Sequence, residues 1–305
     1  MSIVILKSVK RISFSKWTKE IFAHFLLEII SKLILQNRKK YIAVLANDNI
    51  SNHICSRGFY AEGEMSLIKK LILKINKSHK NSSFIDIGAN IGNHSVYFSE
   101  IFENVHAFEP NPIVYPILKA NSEIHKNIKT YNLGLGNKET KEFLKINKFN
   151  LGASHVRKHF QTTKPSFESS YDIKIDITKL DLLINSLGNV SLIKLDIEGM
   201  EYEALKGARQ VIFKYKPVIQ FELLSQNLLR PKVFSLLENI GYEFFEIIND
   251  YDLKPKLIRR LINLIDLIKN QRVSIYKLKK INSIKKRDYI IVALQKNHVD
   301  LISKF

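Results

Sequence analysis

Between Phe84 and Glu109 the chain reads FIDIGANIGNHSVYFSEIFENVHAFE, and no other stretch restricts the fold as tightly. Ser83 to Ile87 is a short apolar run closed by Gly88, the pattern of a strand buried on both faces. Ile91, Val96, Phe98 and Ile101 then give an apolar face to a helix opening near Gly92. Val105 to Phe108 is a second strand, with Glu109 at its carboxyl end. Strand, glycine turn, helix and strand predict half of a doubly wound α/β sheet, with a ligand crevice beyond the strand ends.

The glycine spacing narrows the ligand. A dinucleotide turn has the form G-x-G-x-x-G, where a pyrophosphate meets a helix N-terminus. Here the order is Asp86-x-Gly88-x-x-x-Gly92, with Asn90 between the glycines and no third glycine at the phosphate position. An acid two residues before the first glycine disfavours a pyrophosphate and suits a cationic tail, such as the ammonium of an amino acid. Glu109 can accept both hydroxyls of a ribose, because an ionised carboxylate is an acceptor with two oxygens. An amino-acid tail, a ribose and no phosphate describe S-adenosylmethionine. The alternative is a generic Rossmann turn that holds another adenine ligand. His94 lies in the same turn, Asn111 follows Glu109 in the next one, and Asn132 and Gly134 fall beside the expected adenine pocket.

A chain of 305 residues with 45% hydrophobic residues has room for a substantial core, in one large α/β domain with additions or in two small domains. Cys55 is the only cysteine, which excludes an intramolecular disulfide and a cysteine-cluster metal site. The start, MSIVILKSVKR, has too short an apolar run and misplaced charges for a signal peptide, so a cytoplasmic location is expected. The net charge of +19 is unevenly placed. Residues 1–40 carry nine Lys and Arg against two acids, residues 252–288 carry twelve against three, and residues 41–251 carry 25 against 23. The positive charge therefore belongs to flanking segments, not to the segment that bears the motif.

Residues 14–36 read as one helix with a broad apolar face, including Trp17, Ile21, Phe25, Leu26 and Ile29. Charge interrupts it too often for a bilayer span. It is expected to pack on the domain or on a second subunit; the alternative is peripheral membrane contact through basic amphipathic helices, helped by Arg38-Lys39-Lys40. Oligomeric state is open. Residues 1–57 are taken as a helical extension and 58–305 as the catalytic domain, with a basic helical insertion at about 250–287 whose helix spans Lys254–Lys269. Residues 46–63 read as loop, 64–77 as a helix, 128–133 as a strand and 134–137 as a turn. Further on, 201–215 read as one helix, and 242–248 and 289–294 as an antiparallel closing pair of strands. Tyr60 and Glu62 could face the cofactor pocket, although as isolated residues a structural role suits them better.

Chemistry is expected where the strands end. Val190 to Leu195 is a buried strand that runs into Asp196-Ile197-Glu198-Gly199-Met200-Glu201. Asp196 and Glu198 are the first candidates for taking the proton from an acceptor hydroxyl, and Glu222 is the third. Glu201 could instead cap the helix it opens. No histidine stands at helical spacing from these acids, so no metal site is assigned.

Four motifs in register now resemble the FkbM family of methyltransferases. They are Phe84-Ile85-Asp86-Ile87-Gly88-Ala89-Asn90-Ile91-Gly92, Ala107-Phe108-Glu109-Pro110-Asn111-Pro112, Leu192-Ile193-Lys194-Leu195-Asp196-Ile197-Glu198-Gly199-Met200-Glu201 and Leu205-Lys206-Gly207-Ala208. The match covers roughly residues 58 to 248. The resemblance implies a class I, Rossmann-like sheet with helices on both faces and methylation of a hydroxyl on a sugar, glycoconjugate or other small metabolite. It also implies that Asp86, Gly88, Asn90, Gly92 and Glu109 hold the cofactor while Asp196 and Glu198 line the transfer site. The rival expectation is a nucleic-acid methyltransferase gripping phosphates with its basic ends. The near-neutral middle, and the lack of a recognisable base pocket or RNA module, argue against it.

Overall fold

The computed structural model describes residues 14–30, 41–46, 48–75, 81–147, 155–156, 170–223, 227–249, 276–281 and 289–303. The most apolar runs lie where burial on both faces suits them, at the centre of a sheet. β1 (Ser82–Ile87) pairs in parallel with β2 (Asn104–Phe108) on one side and β8 (Asn189–Leu195) on the other. β3 (Ile128–Tyr131) extends one edge, and β9 (Val218–Leu223) follows β8. β10 (Tyr242–Asn249), β11 (Tyr276–Lys280) and β12 (Tyr289–Gln295) complete the other side antiparallel. The order is β11-β10-β12-β9-β8-β1-β2-β3, so the chain reverses direction across the sheet between β1 and β8. That switch point opens a crevice at the carboxyl ends of the strands.

Each face of this sheet has its own core. Ile85, Ile193, Ile219 and Phe221 pack under α6 (Glu201–Gly207), α7 (Arg209–Tyr215) and α8 (Arg230–Glu238). Phe84, Leu192 and Val218 pack under α3 (Glu62–Ile75), α4 (Asn93–Phe98) and α5 (Tyr115–Ile124). A second sheet, ordered β4-β7-β5-β6, is built from β4 (Gly134–Leu135), β5 (Thr140–Asn147), β6 (His155–Val156) and β7 (Ser170–Thr178). Its own core comprises Leu144, Ile146, Ile175 and Ile177, with Met200.

Several elements differ from the sequence reading. The stretch expected to be loop contains α2 (Asn49–Arg57), whose first turn is capped by Asp48 accepting from the Ser51 N–H at 3.0 Å. Gly134 and Leu135 form a strand instead of a turn, because they pair with Ile177 and Thr178. The helix expected over 201–215 is two helices broken at Ala208. The carbonyl of Gly136 abuts Gly207, where a Cβ would overlap it. Asp181, from a neighbouring turn, then caps the new helix start through the N–H groups of Gln210 and Val211 at 3.1 and 3.0 Å. β11 and a closing helix, Lys296–Ser303, were not expected.

The 41–57 segment, assigned above to an extension, joins the main body. Ile54 packs with Ile91 and Val114, and the Asn121 side chain exchanges hydrogen bonds with both backbone groups of Ala43. In α1 (Phe14–Ile30), of the two partners expected for its apolar face, the domain does not cover Ile21, Phe22 and Phe25, which are exposed. Residues 31–36 of that helix and the basic helix 254–269 lie outside the described residues. Among the described residues no helix is long and apolar enough to cross a membrane.

Candidate active site

The glycine turn is held open by close backbone packing. Gly88 has φ +75°, and a Cβ there would collide with the carbonyl of Asp196, so β1 and β8 can end side by side only with glycine at this position. The N–H groups of Gly88 and Ala89 both donate to the Phe108 carbonyl, at 3.0 and 2.9 Å, which ties the turn to the end of β2. Asn90 (φ 51°) and Glu198 (φ 47°) are non-glycine residues in the left-handed region, one on each side of the crevice. Asn tolerates that conformation, whereas Glu there is a strained exception of the kind found at binding sites.

Glu109 is the clamp between two loops. One carboxylate oxygen accepts from the Asn90 N–H at 2.9 Å and the other from the Asn111 N–H at 2.8 Å. Each oxygen keeps a further lone pair, so the expected acceptance of two ribose hydroxyls remains open to it. Burial pushes its pKa up to about 7, against the opposing pull of those two N–H groups. The Asn111 side-chain nitrogen is buried with no partner, a donor waiting beside the cavity.

Asp86 does hold a cation, but the cation is the chain's own. Its carboxylate is fully buried, accepts from Ser95 Oγ at 2.7 Å and lies 3.4 Å from Lys194 Nζ. It lines neither of the two cavities described here. The structure thus places Asp86 beneath the turn, against Ser95 and Lys194. Lys194 also donates to the Gly88 carbonyl at 3.0 Å and sits 3.6 Å from Asp196. Burial works against its charge, but the two carboxylates outweigh burial and hold its pKa above the ordinary value.

Two adjoining cavities meet above Lys194. The first contains Gly88, Asn90, His94, Glu109, Asn111 and Glu198; the second contains Glu64, Gln220 and Glu222. Tyr60, His94, Lys194 and Asp196 border both. The structure thus gathers most of the expected residues but not all of them. Gly92 (φ +92°) shapes the turn from behind, where an added Cβ would press on Leu118. Asn132 donates to the Glu109 carbonyl at 2.8 Å, and Gly134 sits in the second sheet; neither lines these two cavities. Glu201 turns away, accepting from the Gly199 N–H at 3.0 Å and from Asn227 at 2.9 Å.

Burial drives the site's titration. Glu198 is pushed up to about 7 by burial and then by Asp196 and Glu222. His94 is pushed down to about 3 by burial and then by Lys194, so it is neutral at physiological pH. Among the described residues no group of three or more His, Cys, Asp or Glu could hold a metal.

The sequence reading missed Lys194, Gln220 and Glu64, and gave Tyr60 only a passing role. Their signal was present: Lys194 and Gln220 are polar residues inside otherwise apolar buried runs, LIKL and VIQF. Tyr60 is fixed by Asn93, which accepts from its N–H at 3.0 Å and donates to its carbonyl at 2.9 Å.

Against known proteins, residues 86–244 match the family model described as the methyltransferase FkbM domain. Methyltransferase sdnD of Sordaria araneosa is 24% identical over 192 residues, covering 53% of this chain and 74% of that protein. Methyltransferase 1 of Beauveria bassiana is 23% identical over 145 residues, 42% of this chain and 58% of its own length. Among solved structures, methyltransferase FkbM from Methylobacillus flagellatus KT aligns at 16% identity and a TM-score of 0.38, covering 91% of this chain and 60% of that one.

Proposed function

The chain belongs to the methyltransferase FkbM domain family, and from that premise we propose that it transfers a methyl group from S-adenosylmethionine to a hydroxyl of a sugar, glycoconjugate or similar small metabolite. The observation that carries this reading is the junction of two cavities at Asp196, with Glu198 facing the first and Glu222 the second. The first cavity suits a nucleoside with an amino-acid tail. Glu109 has lone pairs left for ribose hydroxyls, and Asn111 has an unpaired donor. The cofactor supplies an activated methyl group on a sulfonium sulfur.

The chain's own part is positioning and proton uptake. Lys194 keeps Asp196 in place, so Asp196 orients the acceptor hydroxyl at the junction. Glu198, with a pKa near 7, is tuned to take up the hydroxyl proton. Neutral His94 adds no positive charge that would oppose that uptake. The same reading places the enzyme in the cytoplasm, with the basic segments at 1–40 and 252–288 contacting an anionic surface that carries the acceptor.

Titration calorimetry with S-adenosylmethionine and, separately, NAD tests the cofactor. Binding of the first alone supports the reading, and binding of neither by folded protein sinks it. Labelled methyl donor offered with cell-envelope sugars and with total RNA separates the glycan reading from the nucleic-acid one. Removal of residues 252–288 without loss of binding to anionic vesicles would refute the role given to that flank.

A further inference from the structure

The face of the central sheet under α3 changes character over its last rows. Phe84, Leu192 and Val218 are apolar and buried. Two residues later the same face carries Asp86, Lys194 and Gln220, directly paired across β1, β8 and β9. Asp86 and Lys194 form an ion pair at 3.4 Å, although Asp86 Oδ1 has no hydrogen-bond partner, and Gln220 adds a second unpaired oxygen to the row. It is 4% exposed, and its carboxamide oxygen is buried with no hydrogen-bond partner. A buried acceptor is costly to leave unpaired, and the residue that carries this one borders the second cavity. Glu222 follows on the same face of β9, roughly 6–7 Å further along the strand, and Glu64 and Tyr60 stand opposite from the start of α3 and the loop before it.

Resting on the methyltransferase reading, we propose that this second cavity is the acceptor subsite and that it recognises a neutral polyol, whose hydroxyls donate to the Gln220 carboxamide oxygen and the Glu222 carboxylate. Its only described cation, Lys194, is already engaged by Gly88, Asp86 and Asp196. A phosphate or carboxylate beside the reacting hydroxyl would therefore face Glu64, Glu222 and Asp196 with no counter-charge, which is costly in a desolvated site. Glu64 is pushed up to about 7 by burial and then by Glu222, so near neutrality a large share of it carries a proton. The wall thus presents a donor as well as acceptors, which matches hydroxyls that do both better than an ammonium that only donates. Any anionic portion of the acceptor lies outside this cavity.

The test uses the full-length protein with S-adenosylhomocysteine bound and saturation-transfer NMR on a ligand panel. The panel holds methyl glycosides of neutral hexoses and 6-deoxyhexoses, the matching hexose phosphates and hexuronates, and 2-amino-2-deoxyhexosides. Saturation is expected to reach at least one neutral glycoside, with affinity reduced about tenfold, roughly 1.4 kcal/mol, in Gln220→Leu and in Glu222→Gln. Both variants should keep wild-type affinity for S-adenosylmethionine. Tighter binding of the phosphates, uronates or amino sugars overturns the proposal, as does unchanged glycoside affinity in both variants. Wild-type protein that binds S-adenosylmethionine but no neutral glycoside overturns the subsite alone. Wild-type protein that binds no S-adenosylmethionine overturns the methyltransferase reading and this proposal with it.

Discussion

The two faces of the central sheet are built from the same strands, yet they end differently. Under α6, α7 and α8 the face stays apolar to the strand ends, through Ile87, Leu195 and Phe221. Under α3 it turns polar at Asp86, Lys194 and Gln220. One face therefore finishes as core and the other as a site. The lesson is that hydrophobic packing alone does not need an ion pair on a central strand. Replacing such a pair by apolar residues is often neutral or stabilising, so its position at the crevice points to ligand work instead.

Neighbouring residues on the two faces test that contrast most sharply. Lys194→Met leaves Asp86 buried without its partner and should cost roughly 3–5 kcal/mol in denaturant unfolding, with Asp86→Leu in the same chain recovering much of the loss. Ile193→Ala, one residue away on the apolar face, should cost roughly 2–5 kcal/mol while the folded fraction binds S-adenosylmethionine with wild-type affinity. If Ile193→Ala also weakened that affinity, the division of labour between the faces would fail. Glu109→Gln should weaken S-adenosylmethionine about 10- to 100-fold by calorimetry, the equivalent of one charge-assisted hydrogen bond.

A pH series sharpens the comparison further. Glu64, Glu109, Glu198 and Glu201 all have folded pKa values pushed up to about 7 from 4.5. A raised carboxylate pKa contributes stability that is present below the unfolded value and lost as pH rises through the folded one. The ligand-free protein should therefore lose thermal stability between about pH 5 and pH 8, and Glu201→Gln should flatten the slope. Ile193→Ala should lower the melting temperature with the slope unchanged. The smallest effect belongs to the second sheet, where Lys141 and Asp176 form an exposed pair at 3.2 Å. Lys141→Ala should change stability by no more than about 0.5 kcal/mol, measured by the same unfolding.

Much of the fold was legible because strands buried on both faces appear as continuous apolar runs. β1, β2 and β8 follow from that local rule, and the glycine turn and Glu109 from the residues that close β1 and β2. What was not legible depends on contacts between distant segments. The break at Ala208 coincides with the approach of Gly136 and the cap from Asp181. The partner of Asp86 is set by the register of β8 against β1, which no window of sequence contains. α2 was missed for a different reason: its Asn and Ser residues read as loop, and its Asp48 cap was given no weight. The apolar stripe of α1 was read correctly as amphipathic, but amphipathicity does not say which surface covers it.

The grip of Asn93 on Tyr60 touches only main-chain atoms. The loop that closes both cavities is therefore anchored without reference to the side chain it carries at position 60. Exchanging that tyrosine for another residue leaves the anchor intact while it changes the edge contact with His53 and the wall shared by the two cavities. Position 60 is, in effect, a fitting on a fixed mount, whose exchange reshapes the cavity wall without releasing the loop.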